Sequence, residues 1–403
     1  MLEGNYNMIN NMKIDKYAIF KYIWAIVILP KPIQFIILTF IMIKLSNKFK
    51  KNIDLATMFI LAHIVVYIIS LYINIHIGNY TANRILAAMN TIGIWLIATL
   101  MYIYYKNNKV DIEKLSKYCY INIIILIILS ILSFFLYNLL GIQELSIIGA
   151  NLYSVDWFQG ESQLRFIGLL EYSNLVVLFY MMFFPFGLSY ILKYSRRNIK
   201  IIYIILSFIP IILTLSRSGY VVVLLSSMLA LIYLMIRKEN INKIAMIFIV
   251  VILGCIILIY HYDLINIIQE KINELINGRP GSTNTRRYLY EESIQLTTTN
   301  SPIWGLAIKQ MSIVGYPLGS HSTYIGLYYK TGIVGAMMAI IGLFIANINI
   351  LFSKIKIEKY RVICIYILML LPMFVFEDVD GSNWSLICYL SIIAIMSNKE
   401  NWI

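Results

Sequence analysis

The strongest constraint on this chain is a repeat: long apolar runs alternate with polar breaks, and cations cluster in every second break. About 20 apolar residues cross a ~30 Å hydrocarbon core as a helix. In lipid each backbone polar group must be satisfied within its own segment, which selects helices for such runs. Sixty per cent of the 403 residues are hydrophobic and 13% are charged, a membrane composition. Twelve spans can be drawn, at about 17–30, 32–46, 54–77, 82–105, 118–141, 166–192, 201–215, 218–236, 244–261, 322–352, 361–376 and 384–397. The breaks after spans two, four, six, eight and ten carry clusters such as Lys48, Lys50 and Lys51, or Lys193, Arg196 and Arg197. All five clusters fall on one side. The positive-inside rule makes that side cytoplasmic.

The expected fold is therefore an all-α integral membrane protein with about twelve transmembrane helices and both termini cytoplasmic. Residues 1–261 carry the first nine spans, 262–321 form one large extracytoplasmic loop, and 322–403 carry the last three. The first two spans are also compatible with a re-entrant hairpin, which leaves every later loop on the same side. Residues 1–16 are polar, and Lys21 and Pro30-Lys31-Pro32 interrupt the first apolar runs, so the start does not resemble a cleaved signal peptide. Cys119, Cys255, Cys364 and Cys388 sit in apolar runs without metal-ligand spacing and resemble small buried hydrophobes. The net charge of +13 lies mostly in the cytoplasmic clusters, which argues for a bilayer and against nucleic acid as the partner.

Cations placed on the outer side need another reason. Arg217, in Leu215-Ser216-Arg217-Ser218-Gly219, joins two apolar spans with almost no loop. Counting ~1.5 Å per residue from Lys200 puts it roughly 26 Å up, near the edge of the hydrocarbon. An arginine there is a functional candidate, and the amides opening the next helix favour a phosphate. The alternative is an interfacial arginine meeting lipid phosphate. Arg165, Gly168, Glu171 and Asn174 recur every third residue and predict one polar stripe down the sixth span. Glu171 would then need a partner, Arg165 or Arg84.

The segment from His261 to His321 is the longest polar break. Gly278-Arg279-Pro280-Gly281 is turn-rich and leads into a predicted helix at about 285–298, capped by Ser282, Thr283 or Asn284. Arg286 near its start suits bidentate phosphate binding, with Arg287 beside it. Pro302 to Gly305 and Gly315 to His321 are expected tight turns returning to the membrane. A neutral imidazole at His321 can act as a general base, although a lone histidine is more often structural. Glu377, Asp378 and Asp380 form the one dense acidic group and read as solvated. The sequence has no Walker loop, no dinucleotide glycine pattern and no HExxH, so no cofactor or metal is expected and any substrate must arrive already activated.

Taken together these motifs resemble the O-antigen polymerase and ligase superfamily. The resemblance is carried by Leu-Ser216-Arg217-Ser-Gly219, Ser282-x-x-x-Arg286, Pro302-x-x-Gly305, Gly-Ser320-His321-Ser-Thr-Tyr324-Ile-Gly326 and Lys330-Thr-Gly332-Ile-Val-Gly335. It covers roughly residues 160–345. Many relatives have His-Asn where this chain has His321-Ser322, and the His-Ser-Thr-Tyr form is more like capsule or exopolysaccharide repeat-unit polymerases (Wzy-type). The resemblance implies a metal-independent glycosyltransferase of the bacterial plasma membrane, with its site facing outward and a polyprenyl-diphosphate-linked oligosaccharide as donor. Arg217 and Arg286 would hold the diphosphate, with Arg165 and Arg287 as second choices. His321 would take the proton from the acceptor hydroxyl, with Glu171 as the alternative base. Tyr288, Tyr324 and Trp304 would contact sugar. A chain-length regulator protein is an expected partner.

Two other readings stay open. A ligase moves a finished glycan to a final acceptor and uses the same donor chemistry. A lipid-linked oligosaccharide flippase performs no chemistry, but its polar residues should run through the bundle, and its halves often repeat; here the polar residues gather at one face and no repeat is evident.

Overall fold

The computed structural model describes residues 15–46, 53–158, 161–237, 280–352 and 358–401. The expected span at 244–261 and the loop through Arg279 lie outside the described residues. Each of the other expected spans holds helix. Ala18–Lys21 (α1), Ile23–Val27 (α2) and Lys31–Ser46 (α3) come first, broken at Leu29-Pro30. Leu55–Ile77 (α4), Ala82–Asn107 (α5) and Ile112–Leu140 (α6) come next. Asp54 and Asp111 cap α4 and α6, accepting from Thr57 N at 2.9 Å and Glu113 N at 2.9 Å. Then come Ser173–Tyr194 (α7), Arg197–Ser207 (α8), Ile209–Leu213 (α9) and Arg217–Arg237 (α10). Beyond Arg279 the chain forms Pro280–Asn300 (α11), Thr323–Leu351 (α12), Glu358–Leu368 (α13), Leu370–Met373 (α14) and Ser385–Ser397 (α15).

Among the described residues, six helices are long and apolar enough to cross a membrane: α4, α5, α6, α7, α10 and α12. α7 is the central one. Seventeen of its residues are buried, from Ser173 to Ile191, and it packs against α6, α13 and α15. α4, α6 and α10 present apolar side chains such as Met58, Ile68, Leu132, Phe135, Leu224 and Leu231 to the outside, as a lipid-facing surface requires. The protein is a multi-pass membrane protein, mostly helical as expected.

The apolar pattern left residues 142–165 without an element. They fold as an antiparallel meander of Leu145–Ile147 (β1), Ala150–Phe158 (β2) and Glu161–Phe166 (β3). Ile147 pairs with Ala150 across a two-residue turn in which both φ angles are positive, 53° at Ile148 and 83° at Gly149. That turn class matches the twist of paired strands.

The meander corrects the predicted polar stripe. Arg165 lies in β3, opposite Ser154, and not on a helix. Gly168, Leu169 and Glu171 have φ of 64°, 64° and 74°, which no right-handed helix tolerates, so α7 starts only at Ser173. The amides of Ile167, Gly168 and Leu169 fold back onto the Leu152 and Asn151 carbonyls instead.

α12 is interrupted where the motif Lys330-Thr-Gly332 falls. Gly332 has φ 61° and ψ −168°. A Cβ there would lie 2.2 Å from the Ile303 carbonyl oxygen, and one at Gly305 would lie 2.4 Å from Gly332 N. The Pro302-to-Gly305 turn therefore plugs the break at close backbone contact. Leu306 N and Ala307 N donate to the Tyr329 and Lys330 carbonyls at 2.7 and 3.0 Å, and Ile333 N donates to Pro302 O at 2.9 Å. Irregular backbone inside the bundle is thus satisfied by neighbouring chain.

Candidate active site

The Leu215-to-Gly219 motif builds a helix start. Leu215 is in the left-handed region (φ 51°), and the Ser216 hydroxyl accepts from Gly219 N at 3.1 Å while donating to Asn174 Oδ1 at 2.7 Å. Gly219 permits this close approach: a Cβ there would sit 2.5 Å from Val177. Arg217 is the first residue of α10, at the end of the bundle to which the meander and α11 also come. α11 begins at Pro280, two residues before the earliest cap expected, because proline suits the first helical position, where its missing donor costs nothing. Arg286 lies six residues further on and is half-buried, whereas Arg287 is exposed and pairs only distantly with Glu291, at 4.0 Å. Adjacent residues on a helix face directions ~100° apart, so only the first turns inward.

Arg286 is the hub of the charge distribution. It lies close enough to repel the cations of Arg165 and Arg217 and to lower the proton affinity of His321. Burial first, then Arg286, depresses the Arg165 guanidinium below its ordinary value. One of its nitrogens is held by Asp156 at 2.8 Å, across the β2–β3 pair, and its Nε is buried without a partner.

His321 sits between the tight turn at Gly319 (φ 66°) and α12, itself at φ 61°. A histidine there is strained, and such strain concentrates at functional sites. Its carbonyl accepts from the Tyr290 hydroxyl at 2.6 Å, and its ring meets Tyr316 edge-on at 5.7 Å. Burial, then the positive fields of Arg286, Lys309 and Arg165, push the imidazole down to about 4. It is neutral at physiological pH. Ser322 caps α12, and the Thr323 hydroxyl donates to the Glu377 carbonyl at 2.6 Å while accepting from Val379 N at 2.9 Å.

That last contact corrects the reading of the acidic group as solvated. Glu377, Asp378 and Asp380 are 1%, 3% and 7% exposed. Asp380 holds Lys330 at 2.5 Å and accepts from Trp95 Nε1 at 2.6 Å; Asp378 holds Lys309 at 2.5 Å. Two lysines on the α11–α12 connection and α12 thus select the buried position of two acids. Glu377 has no such lysine. It lies beside Asn174 and Tyr172, burial pushes its carboxyl up to about 7, and the nearby Arg286 acts against that shift. The signal available in the sequence was positional: three acids directly after an apolar span have few ways to be neutral, and Lys309 and Lys330 were at hand.

Of the residues expected from sequence, the structure therefore brings together Arg165, Arg217, Arg286 and His321, and adds Glu377, Tyr290 and Tyr316. Arg287 does not join them, and Arg279 lies outside the described residues. Tyr288 lies beside Glu292 on α11. The Tyr324 hydroxyl is spent on the Leu371 carbonyl at 2.8 Å. Glu171 pairs with Lys31 at 2.8 Å, and neither of the expected arginines reaches it. Among the described residues no cluster of three or more potential metal ligands occurs. Two guanidiniums near a half-buried neutral imidazole, with a third beside Arg286, can hold a multiply charged anion and move a proton beside it.

A search of curated proteins finds no match. Residues 202–340 match the family described as O-antigen ligase. The matched segment contains Arg217, Arg286 and His321 and supports an enzyme of the O-antigen polymerase and ligase type. Over residues 202–340 the chain is similar to the O-antigen ligase family, a likeness that supports the resemblance to the O-antigen polymerase and ligase superfamily.

Proposed function

We propose that the protein is a polysaccharide polymerase. It joins polyprenyl-diphosphate-linked oligosaccharide repeat units at the outer face of the plasma membrane. The observation that carries this reading is the convergence of Arg165 and Arg286 on His321, with Arg217 beside Arg286. A polyprenyl diphosphate is membrane-bound, activated and anionic, which is the ligand such a group attracts. Arg217 and Arg286 hold the donor diphosphate and stabilise the charge that grows on it as the bond from anomeric carbon to phosphate oxygen breaks. His321 accepts the proton of the acceptor hydroxyl as its oxygen bonds to that carbon, a single displacement with inversion.

The low proton affinity of the free His321 fits this sequence of events. An imidazole at about 4 is a poor base at neutral pH. Its depression comes partly from Arg286, Lys309 and Arg165, and a bound diphosphate cancels that field. The donor thereby raises the basicity of the group that needs it. Glu377, which stands higher and near neutrality, is the alternative base in place of Glu171. The bilayer and the lipid-linked glycan are then the partners, and a chain-length regulator would act from outside the site. No metal or cofactor has a part in these steps.

A purified preparation given only the lipid-linked repeat unit is expected to form a ladder of lengthening lipid-linked glycan. Transfer that requires a separate acceptor would mean a ligase. Movement of the lipid across vesicles without covalent change would mean a flippase.

A further inference from the structure

A cavity of about 420 Å³ lies where the α2–α3 hairpin meets the β1–β2 turn and the Glu171 loop. That size falls within the range of about 300–1,000 Å³ typical of small-molecule sites. Pro30 and Ile148 give it an apolar wall, and Lys31, Gln34, Asn151 and Glu171 supply polar groups.

The polar groups have an uneven balance. Gln34 is 2% exposed. Its amide nitrogen donates to the Leu29 carbonyl at 2.7 Å and the Val27 carbonyl at 3.3 Å, while its Oε1 accepts nothing. Glu171 uses Oε2 for Lys31 at 2.8 Å, and its buried Oε1 also accepts nothing. Lys31 is neutralised by Glu171 and donates in addition to the Gly381 carbonyl at 3.0 Å. The buried side-chain atoms at the cavity that have no partner are thus both acceptors, and its one cation is paired. Buried acceptors without donors are costly, so the ligand that fits is a neutral group bearing several hydroxyl donors, and an anion is repelled by Glu171.

Position agrees with that chemistry. Glu171 is followed directly by Tyr172, whose hydroxyl reaches Gly381; Tyr172 lies beside Glu377, and Glu377 lies near Arg286. The cavity is thus joined to the candidate active site through the Glu171-to-Asn174 and Glu377-to-Gly381 segments.

We propose that this cavity is a glycan subsite that binds sugar residues of a repeat unit through their hydroxyls, with Gln34 Oε1 and Glu171 Oε1 as acceptors. The proposal rests on the polymerase reading and names where that reaction's uncharged substrate portion is held. The diphosphate is held elsewhere, by the arginines.

The test is saturation-transfer NMR on the full-length protein in detergent. The probe is the free oligosaccharide repeat unit released from the producing organism's own surface polysaccharide, with no lipid or phosphate. Wild type is expected to bind it, with inorganic pyrophosphate failing to compete. Gln34→Leu, which removes the acceptor, and Ala150→Trp, which fills the cavity without touching the hairpin hydrogen bonds, should each weaken binding roughly tenfold, the size of one hydrogen-bonded contact. With lipid-linked substrate both should raise KM more than they lower kcat. Absence of binding by wild type, unchanged binding by Ala150→Trp, or competition by pyrophosphate overturns the subsite. Loss of polymerisation by wild type with variant-sensitive glycan binding retained overturns the polymerase reading and leaves the subsite standing.

Discussion

Two groups of cations converge near one end of the bundle and meet different fates. Lys309 and Lys330 are locked to Asp378 and Asp380 at 2.5 Å, and Lys330 is 1% exposed. Arg286 lies near enough to Arg165 and to Arg217 to repel each, and Arg286 and Arg165 act on His321. The first group is matched charge for charge and holds the Glu377-to-Asp380 loop against α12. The second keeps like charges together with Asp156 on Arg165 at 2.8 Å, and a bound anion would offset their mutual repulsion. Location near a membrane surface does not separate structural cations from binding ones; the supply of buried acids does.

The contrast fails first if His321 proves dispensable. His321→Ala should lower kcat by about 10²–10⁴, the usual contribution of a general base, while leaving the thermal midpoint near that of wild type. Asp380→Ala should do the reverse. It strands Lys330 in the bundle and should cost about 3–5 kcal/mol of stability, read as a large fall in the thermal midpoint and in the yield of folded protein. Arg286→Ala should lower kcat/KM by about 10²–10³ and relieve repulsion, so its thermal midpoint should hold or rise. Arg287→Ala, one residue away but facing outward, should change neither by more than about twofold.

The pH dependence separates the two groups further. If the donor cancels the field on His321, the acid limb of the kcat profile should lie above that of kcat/KM, which reports the free enzyme and its imidazole at about 4. Glu377 provides a stability readout. Its carboxyl, raised to about 7 in the folded protein, binds a proton more tightly there than in the unfolded chain. Stability should therefore fall as pH rises from the ordinary carboxyl range through 7, and Glu377→Gln should flatten that fall.

Much of the architecture was legible because lipid imposes one period on every span, and the helices α4, α5, α6, α7, α10 and α12 come from it. The site was legible where a motif forces local geometry, as Ser216 and Gly219 do at the start of α10, or Gly332 at the break in α12. The β1–β3 meander was hidden because its strands are short and adjoin apolar spans, so their alternation carried little weight. The three-residue spacing of Arg165 from Gly168 mimics a helix for that reason, whereas it reflects a strand followed by a turn. The acids were misplaced because burial of Asp378 and Asp380 depends on Lys309 and Lys330, about fifty to seventy residues earlier, a pairing that no local pattern shows.

The most direct test of the arginine–histidine site is single-turnover kinetics with the lipid-linked repeat unit. Wild type, Arg286→Ala and His321→Ala are compared, each with its donor affinity measured separately. Arg286→Ala is expected to lose donor binding and rate together, while His321→Ala binds donor like wild type and does not turn it over. Near-wild-type turnover by His321→Ala, or undiminished donor binding by Arg286→Ala, would contradict the roles assigned to both residues.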